Sequence, residues 1–231
     1  MCCGKVEDMH SSDAMKNLER VTKTSLLDSL GAMFESAGYE LALVGGPVRD
    51  AILGRVAPDI DLTTNATPEQ ILEVIKGKVD THWEVGREFG TIGCRIGDDQ
   101  IEITTYRTDK YDSDSRKPEV KFGTDLKHDL ERRDFTVNSM ALTLPGREFI
   151  DPFGGLRDLE DKVLKTPGKP EDSFGDDPLR MLRGARFASQ LGFEIEPATF
   201  EAMQSMRQRL EIVSAERIQV ELQKLMLGEN P

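Results

Sequence analysis

Residues 45–61 of the chain read GGPVRDAILGRVAPDID. The glycines follow an apolar run that predicts a strand, and a turn of this kind lets backbone N–H groups approach a phosphate. Arg49 adds a full positive charge. Asp59 and Asp61 stand on alternate residues of the next predicted strand, so both carboxylates point to one face. Together these features predict a site for a nucleoside triphosphate with magnesium.

The two aspartates are the candidate catalytic residues and metal ligands. Magnesium prefers oxygen and binds one or two protein carboxylates together with substrate phosphates. Two such ions can activate an attacking hydroxyl group and stabilise a departing pyrophosphate. Glu102, on another predicted strand, is a candidate third ligand. The alternatives are a plain turn at the glycines, a solvated strand end at the aspartates and an exposed strand glutamate at position 102.

Composition and length indicate a globular protein outside the membrane. Of the 231 residues, 38% are hydrophobic, and no stretch approaches the roughly 18 apolar residues of a membrane span. Because the N-terminus lacks an apolar signal core, we expect a cytoplasmic protein. The three cysteines are too few for a disulfide framework, and the three histidines lack zinc-ligand spacing. Any metal is therefore expected to be held by oxygen.

The charge pattern bears on nucleic-acid binding. A formal net charge of -12 argues against nonspecific affinity, because binding to phosphates relies on clustered lysines and arginines. A local basic groove remains compatible with it, since Arg132 and Arg133 are adjacent and Arg180, Arg183 and Arg186 recur at every third residue. At 3.6 residues per turn the last three fall within a stripe of about 120° on a helix. A charged outer helix face is the alternative.

The pattern along the chain predicts an α+β fold, with a small mixed sheet and helices followed by an all-helical segment. We expect an N-terminal extension at 1–24, a catalytic head at 25–150 and a helical neck at 151–231, truncated before further domains. The last helix carries an apolar stripe that needs a partner, either this protein itself or further chain. Helices are predicted at 26–37, 47–54 and 67–76, strands at 40–44, 59–63, 79–83, 91–96 and 101–106, a mobile loop at 108–121, and mainly helix from 126 onward.

Four stretches, in order, resemble the successive motifs of one enzyme family. They are GGPVRDAILGRVAPDIDLTT at 45–64, RRDFTVNSMAL at 132–142, DPFGGLRDLEDKVL at 151–164 and DDPLRMLRGARFASQLGF at 176–193. The family is that of the class II tRNA nucleotidyltransferases, the CCA-adding enzymes, with their bacterial poly(A) polymerase relatives. The resemblance implies a polymerase-beta-like nucleotidyltransferase head followed by a helical neck.

The resemblance also implies an activity and its residues. The activity is template-independent addition of C and A to the 3′ end of tRNA from CTP and ATP, with release of pyrophosphate. Asp59 and Asp61 are implied to hold Mg²⁺ and to catalyse the transfer. For Arg133 and Asp134, a solvated helix end with a salt bridge is the alternative. The implied nucleotide-binding residues are Gly46 and Arg49 at the triphosphate, Arg133 at the nucleotide, Asp134 and Asn138 at the ribose, Asp177 and Arg180 at the base, and Arg183 and Arg186 in support.

Base choice has a physical explanation. Cytosine and adenine offer an exocyclic amino donor beside a ring-nitrogen acceptor, whereas uracil and guanine have a carbonyl oxygen in the amino position. A fixed carboxylate and arginine can therefore accept C and A and refuse U and G. The family usually has Glu where this chain has Asp176. Asp keeps the charge but has a shorter reach, so we assign no base reading to Asp176 and expect it to hold Arg180, four residues on, through a side-chain pair. The resemblance implies that Asp177 with Arg180 reads the base.

Other functions remain open at this stage. The polar stretch from 107 to 122 resembles the family's flexible loop, which is needed for the terminal A, although a linker without function is the alternative. Poly(A) polymerase is the closest rival, but the additional basic signature usual in its bacterial members is not found around 90–107. A nucleotide-binding module without catalysis and an inactive piece are further alternatives. The oligomeric state is not predicted.

Overall fold

The computed structural model describes residues 11–110, 119–123 and 125–228. The helices are α1 (Ser11–Thr22), α2 (Ser25–Ser36), α3 (Gly46–Ile52), α4 (Pro68–Ile75), α5 (Leu126–Glu131), α6 (Gly155–Glu160), α7 (Pro170–Asp176), α8 (Leu179–Leu191), α9 (Pro197–Met206) and α10 (Ala215–Met226). The strands are β1 (Leu41–Val44), β2 (Ile60–Thr64), β3 (Thr81–Trp83), β4 (Thr91–Ile96), β5 (Asp99–Thr105), β6 (Arg107–Lys110), β7 (Glu119–Phe122), β8 (Ala141–Leu144), β9 (Phe149–Ile150), β10 (Val163–Leu164) and β11 (Glu194–Ile195). Short 3₁₀ helices cover Arg87–Phe89, Thr136–Asn138 and Arg207–Ile212.

The chain divides into two compact units. Unit 1 comprises Met1–Tyr106 and Met140–Ile150, and unit 2 comprises Arg107–Ser139 and Asp151–Pro231. The predicted α+β class is confirmed, since a seven-stranded sheet with helices is followed by a largely helical region. The described residues between 107 and 139, which we expected in the head, belong to unit 2.

Unit 1 is built on one sheet, in the strand order β3-β4-β5-β2-β1-β8-β9. All neighbours are antiparallel except β2 and β5, which are parallel and place Asp61 opposite Glu102. The four residues of β1 are all buried, as expected for a strand without polar alternation inside a sheet. Helix α2 buries Leu30 and Phe34 in the core. The candidate carboxylates thus lie on neighbouring strands of a packed sheet.

Most predicted elements of unit 1 are confirmed. Helix α4 begins with a capping box, in which Gln70 N–H donates to Thr67 Oγ1 over 3.4 Å and Thr67 N–H donates to Gln70 Oε1 over 2.8 Å. Part of the predicted extension is the helix α1, which packs on the unit. Its Leu18 is buried, and Asn17 Nδ2 donates to the carbonyl oxygen of Ile52 over 3.3 Å.

Strands occur in three regions where none was predicted. Residues from 126 onward were expected to be mainly helical, yet β8 joins the sheet beside β1. Four residues are too few for a periodic signal, and backbone pairing with β1 decides their conformation. The expected loop at 108–121 is a two-stranded ladder at its ends, between β6 and β7, whereas 111–118 lie outside the described residues. In the expected helical neck, β10 and β11 form a short parallel ladder.

Unit 2 is organised around α8. Phe187 on this helix packs edge-on against Phe135, with ring centroids 6.0 Å apart, and Met181 packs in a cluster with Phe174 and Ala202. Helix α10 lies against α8. No helix in the described ranges is long and apolar enough to cross a membrane.

The predicted apolar stripe of the last helix is not its buried face. Glu221 of α10 is buried, whereas Leu222 is 44% exposed and Met226 is 67% exposed. Ser214 caps the helix by accepting from the N–H of Arg217 over 3.4 Å. The face of α10 that packs on α8 therefore carries the buried Glu221 carboxylate and not the apolar stripe.

Candidate functional site

The glycine turn of unit 1 joins β1 to α3. Gly45 has φ 73° and ψ -133°, a backbone conformation that L side chains rarely adopt, so glycine is required there. Gly46 is the first residue of α3, and a Cβ added to it would lie 3.7 Å from Arg49 Nη2, an ordinary contact. Packing within the protein therefore does not demand glycine at position 46. Close approach of a ligand to the backbone would.

Arg49 is held in place before any ligand binds. It is buried, and its Nε and Nη2 donate to Asp50 Oδ1 over 2.9 and 2.8 Å. An arginine fixed by a neighbouring carboxylate loses little conformational freedom when it meets a second anion. This arrangement is compatible with the predicted triphosphate contact of Arg49, which stays a prediction.

The acidic group of unit 1 consists of Asp59, Asp61 and Glu102. Asp59 immediately precedes β2 and is exposed, Asp61 lies within β2, and Glu102 stands opposite Asp61 on β5. Loss of solvent around the Glu102 carboxyl group, and then the charges of Asp61 and Asp59, raise its pKa above the ordinary value. The charges of Asp61 and Asp59 therefore both act on the Glu102 carboxyl group, and a bound cation would relieve that repulsion.

The acidic group fits a magnesium ion that is shared with a substrate. Within the part of the chain that the structure describes, no three acidic, histidine or cysteine side chains could hold a metal ion together. Magnesium requires only one or two protein carboxylates when phosphate oxygens complete its coordination. Asp59 and Asp61 supply two such carboxylates, and their role as magnesium ligands stays a prediction, as does that of Glu102 as a third ligand.

In unit 2, Asp134 is the centre of a fixed hydrogen-bond network. Its Oδ1 accepts from Phe135 N–H over 2.8 Å and from Asn138 Nδ2 over 3.0 Å, and its Oδ2 accepts from Arg183 Nε over 2.8 Å. Burial alone would raise the pKa of Asp134, but Arg183 and the hydrogen bonds outweigh it and lower the pKa to about 2. Three of the predicted nucleotide-binding residues are thus brought together.

The arginine row of α8 is largely an interior feature. Arg180 and Arg186 are each only 8% exposed, so the alternative of a charged outer face is wrong for these two. Arg186 Nε donates to Glu221 Oε2 over 2.6 Å, and Arg183 Nη1 lies 3.7 Å from Glu221 Oε1. The charge of Asp134 raises the pKa of Arg183, and burial lowers that of Arg186.

The two predicted base readers are each held by other groups. Asp177 accepts from Leu179 N–H over 3.1 Å and from Arg217 Nη2 over 2.9 Å. Arg180 Nη1 donates to Ser173 Oγ over 2.9 Å, and its Nη2 donates to the carbonyl oxygen of Arg132. Arg180 also lines a pocket of about 450 Å³ in unit 2. The predicted side-chain pair of Arg180 with Asp176 stays a prediction.

Sequence reasoning missed three supporting residues. Asp129 is fully buried and accepts from Arg132 Nε over 2.9 Å and from Arg133 Nη2 over 3.2 Å. Burial raises the pKa of Asp129, and the two arginines lower it below its ordinary value. Its position three and four residues before them is a signal that could have found it. Glu221 and Arg217 on α10 had no local signal, because packing of distant segments brings them to α8.

Comparison with known families gives two matches. Residues 41–165 match the profile of a family described as "Poly A polymerase head domain". Residues 192–231 match one described as "Probable RNA and SrmB- binding site of polymerase A". The first match contains the whole acidic group of unit 1 together with Asp134 and Asn138.

Curated relatives are similar over most of the chain. A CCA-adding enzyme of Enterococcus faecalis is 46% identical over 194 residues, which is 84% of this chain and 47% of that protein. A CCA-adding enzyme of Bacillus subtilis is 45% identical over 193 residues, which is 83% of this chain and 47% of that protein. The chain thus spans about half the length of the curated relatives it matches.

Solved structures show the same likeness. A Bacillus stearothermophilus CCA-adding enzyme in complex with CTP superimposes with a TM-score of 0.78 at 35% identity, over 90% of this chain and 50% of that one. A Thermotoga maritima CCA-adding enzyme complexed with tRNA superimposes with a TM-score of 0.77 at 30% identity, over 95% of this chain and 51% of that one. These likenesses cover both units.

Proposed function

The chain belongs to the family of the poly A polymerase head domain, and we propose that it adds C and A to the 3′ end of tRNA from CTP and ATP. In this reaction the 3′-hydroxyl group loses its proton to solvent and its oxygen forms a bond to the α-phosphorus. The bond from the α-phosphorus to the oxygen that bridges to the β-phosphorus breaks, and pyrophosphate leaves. The expected cytoplasmic location and the division into a catalytic head (25–150) and a nucleotide-selecting neck (151–231) are part of the proposal.

The observation that carries the proposal is likeness to CCA-adding enzymes through both units. At 30 to 35% identity, the solved enzymes match 90 to 95% of the chain. A nucleotide-binding module that had lost catalysis would have no reason to keep like charges together, yet Asp59, Asp61 and Glu102 lie close enough to raise the pKa of Glu102. Retention of this acidic group favours an enzyme.

The residues of unit 1 supply the chemistry in this proposal. Asp59 and Asp61 would hold Mg²⁺, which when bound neutralises triphosphate charge and makes the attacking hydroxyl group more acidic. Gly46 allows the triphosphate to approach the backbone, and Arg49, oriented by Asp50, binds a phosphate oxygen. Charge that develops on the departing pyrophosphate is thereby met by a group already in place.

The residues of unit 2 choose the nucleotide. Asp177 accepts the exocyclic amino group of C or A, and Arg180 donates to the neighbouring ring nitrogen. Arg183 with Asp134 and Asn138 forms the support for the ribose, and Arg133 and Arg186 complete the proposed nucleotide-binding set. No nucleic-acid template is needed, because protein side chains provide the hydrogen-bonding pattern.

Poly(A) synthesis, or addition of A only, is the second candidate function. The matching family profile is described by poly A polymerase, which keeps this candidate open. The curated relatives that cover 83 to 84% of the chain are CCA-adding enzymes, which favours tRNA as the acceptor.

An incorporation assay separates these functions. The chain is supplied with Mg²⁺, labelled CTP or ATP, and tRNAs that end before CCA, after C and after CC. We expect C and A to be added to the matching acceptors, with arrest at CCA. Long A tails on generic RNA would replace the proposal with poly(A) polymerase. Metal-dependent nucleotide binding without incorporation would replace it with a non-catalytic module.

A further inference from the structure

Helix α10 is fixed to α8 along its length. Besides the buried pair of Arg186 and Glu221, Ser189 Oγ donates to the carbonyl oxygen of Leu225 over 3.1 Å. Helix α10 therefore cannot slide along α8 without breaking these hydrogen bonds. The first turn of α10, which carries Arg217, is consequently held at a defined position relative to the start of α8.

Arg217 uses that position to hold the carboxylate of Asp177. Asp177 lies between α7 and α8, where its Oδ1 caps the start of α8 through Leu179 N–H. This single bond leaves the carboxylate free to swing about it. Arg217 Nη2 donates to Oδ2 over 2.9 Å and so fixes the second oxygen. Two donors from different helices define the plane of the carboxylate.

The contact contributes little to the fold itself. The Arg217 side chain is 54% exposed and that of Asp177 is 23% exposed, and ion pairs this accessible to water typically stabilise a protein by about 0 to 1 kcal/mol. Arg180 does not depend on the contact, because Ser173 and a backbone carbonyl hold it separately. The main effect of the Arg217–Asp177 pair is therefore on the orientation of the Asp177 carboxylate.

We propose that Arg217 is a specificity-determining residue that positions Asp177 to accept the amino group of cytosine or adenine. The inference rests on the proposed function, in which Asp177 reads the base. Rejection of uracil requires a carboxylate oxygen that stays opposite the uracil carbonyl oxygen, so that two acceptors face each other. Without Arg217 the carboxylate can turn aside, and the unfavourable contact with UTP is lost.

The test compares Arg217→Gln with Arg207→Gln in the full chain. Arg207 is an exposed arginine whose Nη1 donates to the nearby carbonyl oxygen of Gln204, so its replacement is a matched control. The measured quantity is the ratio of kcat/KM for CTP to that for UTP on a tRNA that ends before CCA. We expect Arg217→Gln to lower the ratio about tenfold, with a Tm within about 2 °C of wild type.

Two further measurements make the outcome decisive. Arg217→Lys can still donate to Oδ2 and should restore at least part of the lost discrimination. An unchanged ratio in active Arg217→Gln, or an equal loss in Arg207→Gln, would overturn the inference. If the wild-type chain adds no nucleotide, the proposed function fails. Equilibrium titration with CTP and UTP in Mg²⁺ then tests the positioning role of Arg217. The same preference for CTP over UTP in wild type and Arg217→Gln overturns that role.

Discussion

The carboxylates of the two units have opposite electrostatic surroundings. In unit 1, Asp61 and Asp59 raise the pKa of Glu102, so like charges face one another at the end of neighbouring strands. In unit 2, buried Asp129 and Asp134 lie against arginines that lower their pKa values. The fold thus leaves like charges near one another in unit 1, whereas in unit 2 it pairs the buried carboxylates with arginines.

The difference indicates which part of the protein is completed by a ligand. Repulsion on the Glu102 carboxyl group would be relieved by a bound cation, which agrees with the proposed metal and triphosphate site in unit 1. The arginines of unit 2 are already paired and their geometry is fixed before the nucleotide arrives. The proposed base-reading role of unit 2 would benefit from such preorganisation, because each misplaced donor lowers discrimination.

The largest expected effect comes from removing one charge of the acidic group. Asp61→Asn should lower kcat/KM for CTP incorporation at least about 10³-fold, because metal-assisted stabilisation of the transition state is worth several kcal/mol. Fold and Tm should be retained, as measured by circular dichroism. Asp98→Asn, at an exposed turn of the same sheet, is the control and should remain fully active. Activity of Asp61→Asn near the wild-type level would contradict the metal assignment.

The same contrast explains what could be predicted from the sequence. Asp59 and Asp61 were found because strand alternation is local and both carboxylates lie within three residues. The arginine row was found for the same reason, by its spacing on one helix. Burial of Arg186 was not foreseen, because its partner Glu221 comes from a helix 35 residues later. Strand β8 was missed because pairing with β1, about 100 residues earlier in the chain, determines its conformation.

The next largest effect should come from unpairing a buried charge in unit 2. Arg183→Met leaves Asp134 buried beside Asn138 and a backbone N–H, without its cation. We expect a loss of about 3 kcal/mol in the free energy of unfolding, measured by urea denaturation. The double variant Asp134→Asn with Arg183→Met removes both charges and should recover part of the loss. A loss below about 1 kcal/mol in Arg183→Met would show that the pair is not effectively buried.

Acid should weaken unit 2 through the same carboxylate. The folded-state pKa of Asp134 is about 2, below its ordinary 3.8. The resulting stabilisation is complete above about pH 4 and is lost as the pH falls through 2, and it amounts to about 2 kcal/mol. The difference in unfolding free energy between wild type and Asp134→Asn should therefore shrink between pH 5 and pH 2. Asp129 contributes equally to both proteins, so a pH-independent difference would contradict the low pKa of Asp134.

The smallest expected effect has the opposite sign and lies in unit 1. Because the folded-state pKa of Glu102 is raised, a loss of stability builds as the pH rises above the ordinary carboxyl pKa and is complete above the raised one. Glu102→Gln should therefore raise the Tm at pH 7 by about 1 to 2 °C, with solvent exposure keeping the gain small. The gain should vanish at pH 4 and shrink in millimolar Mg²⁺, which relieves the same repulsion. Glu88→Gln, at an exposed position of the same unit, should give no such pattern, and an equal gain there would assign the effect to net charge alone.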